Sequence, residues 1–139
     1  MPNHTYTCVT GCYFFVMCQR IQRKRTKGFK MPENTVYVGR PTKWGNPFKI
    51  IGDEIFIDIS YRSKFTKWRY VTLGCNETAV QLYEALFENS DHGDEDFNHW
   101  SEILLNQNIR ELSGKNLACF CSLNVACHAD VLLRLCNSR

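Results

Sequence analysis

Four metal-capable side chains, Cys119, Cys121, Cys127 and His128, fall within ten residues in the run Leu117-Ala-Cys-Phe-Cys-Ser-Leu-Asn-Val-Ala-Cys-His-Ala-Asp130. Three chemistries fit such a cluster. Three cysteines and one histidine make a complete tetrahedral ligand set for zinc. Cys-x-Cys on a strand places both side chains on one face about 6.6 Å apart along the backbone, within reach of one ion. Adjacent Cys127 and His128 serve together only where the backbone turns sharply, as at a helix start. The second chemistry is a reactive thiol: Cys121 activated near a helix N-terminus, His128 as base, and Asp130 orienting the imidazole or acting as acid/base. In the third, the cysteines are small buried hydrophobes and His128-Ala-Asp130 caps a helix.

The elements that position these residues follow from patterning. Thr35 to Val38 reads as a short buried strand, β-branched and aromatic, stopped by Gly39-Arg40-Pro41. The loop after it, Pro41-Thr-Lys-Trp-Gly-Asn-Pro-Phe48, has its backbone shaped by Gly45 and two prolines. Ile55 to Ile59 and Trp68 to Leu73 read as a hairpin turning near Arg62 to Thr66. Helices are expected from an Asn76 N-cap to about Phe87 and from Glu95 to about Asn108. Leu117 to Phe120 reads as a second buried strand, and Ala129 to Leu135 as the last helix. The expected fold is a single small α/β domain: a short mixed or parallel sheet, about three flanking helices, and a β-hairpin insertion near residues 53–73. If the two buried strands run parallel, the Gly39 to Phe48 loop and the Cys121 to His128 loop share the sheet edge where ligands collect. Basic loop and cysteine cluster would then line one site.

Charge supports a ligand at such an edge. From Arg20 to Lys49 there are nine cations (Arg20, Arg23, Lys24, Arg25, Lys27, Lys30, Arg40, Lys43, Lys49) against one acid, Glu33. Such a tract attracts phosphate, whether of a nucleotide or of a nucleic acid, and says nothing of the base. Gly28 permits close backbone approach, and Phe29, Tyr37, Trp44 and Phe48 are interleaved with the cations. A solvated surface run is the competing account.

With 139 residues, 44% of them hydrophobic, the chain is sized for one folded domain. Eight cysteines without a secretory signal favour reduced thiols and a cytoplasmic location, bacterial or host. The apolar run Cys12 to Cys18 is far shorter than the ~20 residues of a membrane span, so no membrane association is expected. Residues 1–17 read as a leader, disordered or upstream of the real start, with Met17 and Met31 as alternative starts to Met1 and the domain proper over 18–139. Nothing in the sequence fixes an oligomeric state.

The ordered elements Arg20 to Pro32, Val36-Tyr-Val-Gly-Arg-Pro-Thr-Lys-Trp-Gly-Asn-Pro-Phe48, Ala79 to Tyr83, and Leu112 to Cys121 through Cys127-His-Ala-Asp-Val-Leu-Leu133 resemble the family catalogued as domain of unknown function 4326. The resemblance spans about Cys18 to Leu135. It implies an origin among bacteriophages and bacteria, and it singles out the Lys-Gly-aromatic element, the Gly-Asn-Pro-Phe turn, the Cys-aromatic-Cys pair and Cys-His-Ala-Asp. The leader and the stretches Ile51 to Asn76 and Glu88 to Asp96 depart from the family pattern.

The leading expectation is a domain that binds a phosphorylated nucleoside or nucleotide and modifies it. Arg25, Lys27, Gly28, Arg40 and Lys43 would hold phosphate, Trp44 or Phe48 would stack on a base, and Asn46 would hydrogen-bond base or sugar, with an alternative role in holding its own turn. His128, Asp130 and Cys121 would carry the chemistry; zinc is the one cofactor the residues suggest. The rivals are a non-catalytic nucleic-acid-binding module, zinc-stapled by the cluster, and a phage accessory protein that sequesters a host partner.

Overall fold

The computed structural model describes residues 5–10, 14–61, 65–67, 75–88 and 93–138, with backbone alone for 5–10, 14–17 and 65–67. The chain divides into two units, Met1–Gly45 with Asn108–Arg139, and Asn46–Gln107.

The first unit is built on a four-stranded sheet. Strands β1 (Thr5–Thr10) and β2 (Phe14–Gln22) pair antiparallel. Parallel to β2 runs β7 (Asn116–Cys119), and parallel to β7 runs β3 (Thr35–Tyr37), giving the order β1-β2-β7-β3. Residues expected in a leader thus supply β1 and the start of β2. The two strands anticipated from their buried apolar runs are present and parallel. Helix α3 (His128–Cys136) packs on β2 and β7, burying Val131, Leu132 and Leu133. A 3-10 helix, Ile109–Leu112, leads into β7. Cys18 is disulfide-bonded, which corrects the expectation of uniformly reduced thiols, whereas Cys119, Cys121, Cys127 and Cys136 are free.

Side-chain alternation sorts this sheet's two faces. Register pairs Gln22 with Cys119 and Arg20 with Leu117, so Cys18, Arg20, Leu117 and Cys119 share one face. Tyr37 pairs with Ala118 and therefore points to the other, where its ring meets that of Phe120. All three parallel strands end on one edge. There Arg23 N–H donates to the Cys119 carbonyl and Val38 N–H to that of Ala118, carrying the ladder one residue past each strand.

The second unit holds an antiparallel meander, β4 (Phe48–Ile51), β5 (Glu54–Asp58) and β6 (Phe65–Lys67), with α1 (Asn76–Ala85) beside β4 and α2 (Glu95–Leu105) following. Strand β5 lies where Ile55 to Ile59 was expected. The hairpin expected near residues 53–73 is present as antiparallel β5 and β6, with β6 beginning inside the span expected to turn, and β4 adds a third strand across Gly52-Asp53. Trp68 to Leu73, expected as the second strand, lies outside the described residues. Cys75, not Asn76, is the extended N-cap of α1, its thiol 3.0 Å from the Thr78 hydroxyl. Asp94 caps α2 by accepting from Phe97 N–H. Phe48, Ile55, Ile57, Tyr83, Leu86 and Phe97 are core residues of this unit, with the Phe48 and Phe97 rings 6.2 Å apart.

Candidate functional site: a thiol cluster and a cation-aromatic platform

The Cys121 to His128 loop leaves β7 and returns to α3, and its shape is held by a buried cation. Arg20, 2% exposed, donates from Nη2 to the carbonyls of Ser122 (3.0 Å) and Val125 (2.9 Å), which lie on the two limbs of a turn closed by Val125 N–H to Ser122 O. Its Nη1 lies 3.3 Å from Asp130 Oδ2 on α3. One guanidinium thus ties β2, the loop and the last helix together. Arg20 read as one more surface cation in the sequence. Its inward alternation with Cys18 was the signal that would have found it.

Inside this loop the Sγ atoms of Cys119, Cys121 and Cys127 lie within 4.8 Å of one another, and those of Cys119 and Cys121 are 3.7 Å apart. These three close thiols have the arrangement to hold a metal ion. Contact among the three thiols, first of all between Cys119 and Cys121, pulls the Cys119 pKa down and pushes those of Cys121 and Cys127 up. Cys127 is the extended N-cap (φ −145°, ψ 146°) and His128 the first residue of α3, which supplies the sharp turn two adjacent ligands need. His128 Nδ1 is 3.6 Å from Cys127 Sγ, and its Nε2 is 2.8 Å from the Val38 carbonyl. Burial lowers the His128 pKa, so the ring is neutral; with Nε2–H donating to Val38, Nδ1 keeps its lone pair.

On the opposite face of the same edge stands a second arrangement. Tyr37 and Phe120 meet edge to face with centroids 5.7 Å apart, both half-buried. The Arg23 guanidinium lies over Tyr37 (4.6 Å) and Phe120 (5.3 Å), and that of Arg25 over Phe120 (4.3 Å). Burial raises the Tyr37 pKa, keeping its phenol protonated to donate to the Arg40 carbonyl (2.8 Å). Gly39 must be glycine here, because a Cβ would overlap the Tyr37 ring. Gly39→Ala should therefore displace Tyr37 and cost about 1–3 kcal/mol. Urea denaturation reads the stability and near-UV circular dichroism the displaced ring; unchanged values in both would contradict the packing.

The residues expected to bind ligand divide between these surroundings. Lys27 is exposed beside Gly28, whose positive φ (85°) closes the turn in which Phe29 N–H meets Thr26 O. Arg40 is exposed in the loop after β3. Lys43 pairs with Glu111 at 2.6 Å, both about half exposed, and stands 5.3 Å from the centroid of the Trp44 ring. Trp44 and Phe48 are buried, at 2% and 1%, so neither presents an open face. Asn46 performs its alternative role: it accepts from Phe48 N–H and donates to the Ala79 carbonyl. Gly45 and the residues before it belong to the first unit, Asn46 and Phe48 to the second. The Cys121 thiol sits in the cluster and the Asp130 carboxylate faces Arg20. Phe120 was expected only as the end of a buried strand and the aromatic of the Cys-aromatic-Cys pair, and Arg23 only as charge. The thiols and the Tyr37-Phe120 pair lie on opposite faces of one strand end.

Fold and site together define an α/β protein whose parallel sheet edge carries a thiol cluster on one face and a cation-aromatic platform on the other. The chain belongs to the family described as Domain of unknown function (DUF4326), whose model matches residues 21–138. Neither curated proteins nor solved structures gave a match. No helix among the described residues is long and apolar enough to cross a membrane.

Proposed function

We propose that the parallel sheet edge binds a phosphorylated nucleoside or nucleotide, with Tyr37, Phe120, Arg23 and Arg25 as the recognition platform. The observation that carries this reading is the placement of two guanidinium groups over two half-buried aromatic rings. Bases stack on aromatic faces and on guanidinium planes alike, and arginine forks match phosphate oxygens in pairs. Arg25 with Lys27 and Arg40 supplies the positive field for the phosphate, and Lys43 joins them by exchanging Glu111 for the ligand. The base-stacking role expected of Trp44 and Phe48 thereby passes to Phe120 and Tyr37.

The reading is one of binding. Both nitrogens of His128 are engaged, Asp130 opposes Arg20, and Cys121 is part of the thiol cluster, so each residue expected to carry chemistry has another occupation. A nucleic-acid strand is the second reading, favoured by the extent of the exposed run Lys24, Arg25, Lys27 and Lys30, which exceeds what one phosphate group needs.

Calorimetric titration with nucleoside monophosphates, inorganic phosphate and a single-stranded oligonucleotide at several salt concentrations separates the two. The proposal expects monophosphates to bind more tightly than phosphate and with shallow salt dependence. Phe120→Ala should weaken them about tenfold, the scale of one stacked base. Steeply salt-dependent binding of the oligonucleotide alone would replace it with the strand reading.

A further inference from the structure

A tetrahedral zinc ion with Zn–S bonds of ~2.3 Å and a Zn–N bond of ~2.0–2.1 Å sets its sulfurs ~3.8 Å apart and a sulfur and nitrogen ~3.6 Å apart. Both spacings occur here. The Sγ atoms of Cys119 and Cys121 are separated by 3.7 Å, and Cys127 Sγ and His128 Nδ1 by 3.6 Å. The third sulfur lies within 4.8 Å of the other two, and His128 Nδ1 reaches the cluster through its contact with Cys127, so side-chain rotations that draw the four donors together would close the shell.

We propose that Cys119, Cys121, Cys127 and His128 Nδ1 form a closed structural zinc site. Three soft sulfurs and one imidazole are a zinc donor set rather than one for magnesium or calcium. The histidine is prepared for ligation by its other nitrogen: Nε2–H donates to the Val38 carbonyl at 2.8 Å, which fixes the tautomer and orients the ring. That bond also ties the metal to the end of β3, immediately before Gly39 and the loop that bears Arg40 and Lys43.

The surroundings suit the ion's charge. Three thiolates and Zn2+ leave one net negative charge in a buried setting, and the buried Arg20 guanidinium is bonded to the loop that joins Cys121 to Cys127. Through its bonds to Ser122 O and Val125 O, the same group fixes the loop between the second and third sulfurs. All four coordination positions come from the protein, so no position is left open for substrate. The zinc is a staple between β7 and the start of α3, and it backs the strand end from whose other face Phe120 projects.

This inference stands apart from the ligand reading, since a closed zinc site holds its strand end whether or not a nucleotide binds in front of it. The test uses the full chain, expressed in zinc-supplemented medium and purified reduced without chelator. Mass spectrometry of the metals should find about one zinc per chain. X-ray absorption at the zinc edge should show three sulfurs and one nitrogen. Cobalt substitution should give thiolate-to-metal charge transfer and the visible bands of a tetrahedral ion. Cys127→Ser should lose the metal and Cys75→Ser keep it. Because Cys127→Ser could fail to fold, the wild-type absorption spectrum decides. Substoichiometric zinc, an iron chromophore, four sulfurs, or a shell of oxygens and nitrogens would each overturn the site.

Discussion

Arg20→Ala is expected to cost about 3 kcal/mol or more of folding stability, an effect far outside the range of a surface cation. Arg20 is 2% exposed, and its removal takes the guanidinium donor from the Val125 carbonyl, leaves the Ser122 carbonyl only its bond from Val125 N–H, and removes the cation that faces Asp130. Removing one member of a buried pair costs more than the pair contributes, because the partner remains desolvated. The Asp130 side chain, at 19% exposure, is partly relieved by water, so the lower end of the usual range applies. Asp130→Asn should cost a comparable amount, about 2–3 kcal/mol, because the buried Arg20 charge then loses the carboxylate that faces it. Urea denaturation measures both. A loss below about 0.5 kcal/mol for Arg20→Ala would return Arg20 to the solvated basic run of the sequence.

Phe48→Ala should cost about 3–5 kcal/mol, the consequence of emptying an aromatic site in a packed core. Phe48 is 1% exposed at the start of β4, and its ring lies against Phe97 of α2. The opposite pattern is what a base-stacking residue would give: little change in stability and a large loss of affinity. Denaturant midpoints and nucleotide titrations on this variant, well below its melting temperature, separate the roles. Stability within about 1 kcal/mol of wild type would show that Phe48 is not core.

Residues 48 and 20 also show where sequence reasoning stops. Strands β3 and β7 were legible because their short apolar runs are bounded by glycine, proline and asparagine, and their parallel pairing brought the two loops to one edge. The thiol cluster was legible from residue type alone. Arg20 was not, because β2 joins an apolar run, Phe14 to Cys18, to a basic tract, and a strand crossing that boundary looks like a leader followed by a charged surface. Trp44 and Phe48 were misread for a related reason. Aromatics interleaved with cations have the composition of a stacking surface, but burial depends on packing that composition does not encode. The face on which a residue lies was equally hidden until register was known: one residue of offset separates Cys119, in the cluster, from Phe120, on the platform.

The central claim, a nucleotide-binding platform at the parallel sheet edge, is tested most directly by an NMR titration of the isotope-labelled full chain with a nucleoside monophosphate. The account predicts saturable shifts at Arg23, Arg25, Tyr37, Gly39, Arg40 and Phe120, with aromatic side-chain signals of Tyr37 and Phe120 among the largest. Saturable shifts confined to residues of α1 and α2, or no saturable shifts at millimolar nucleotide, would contradict it.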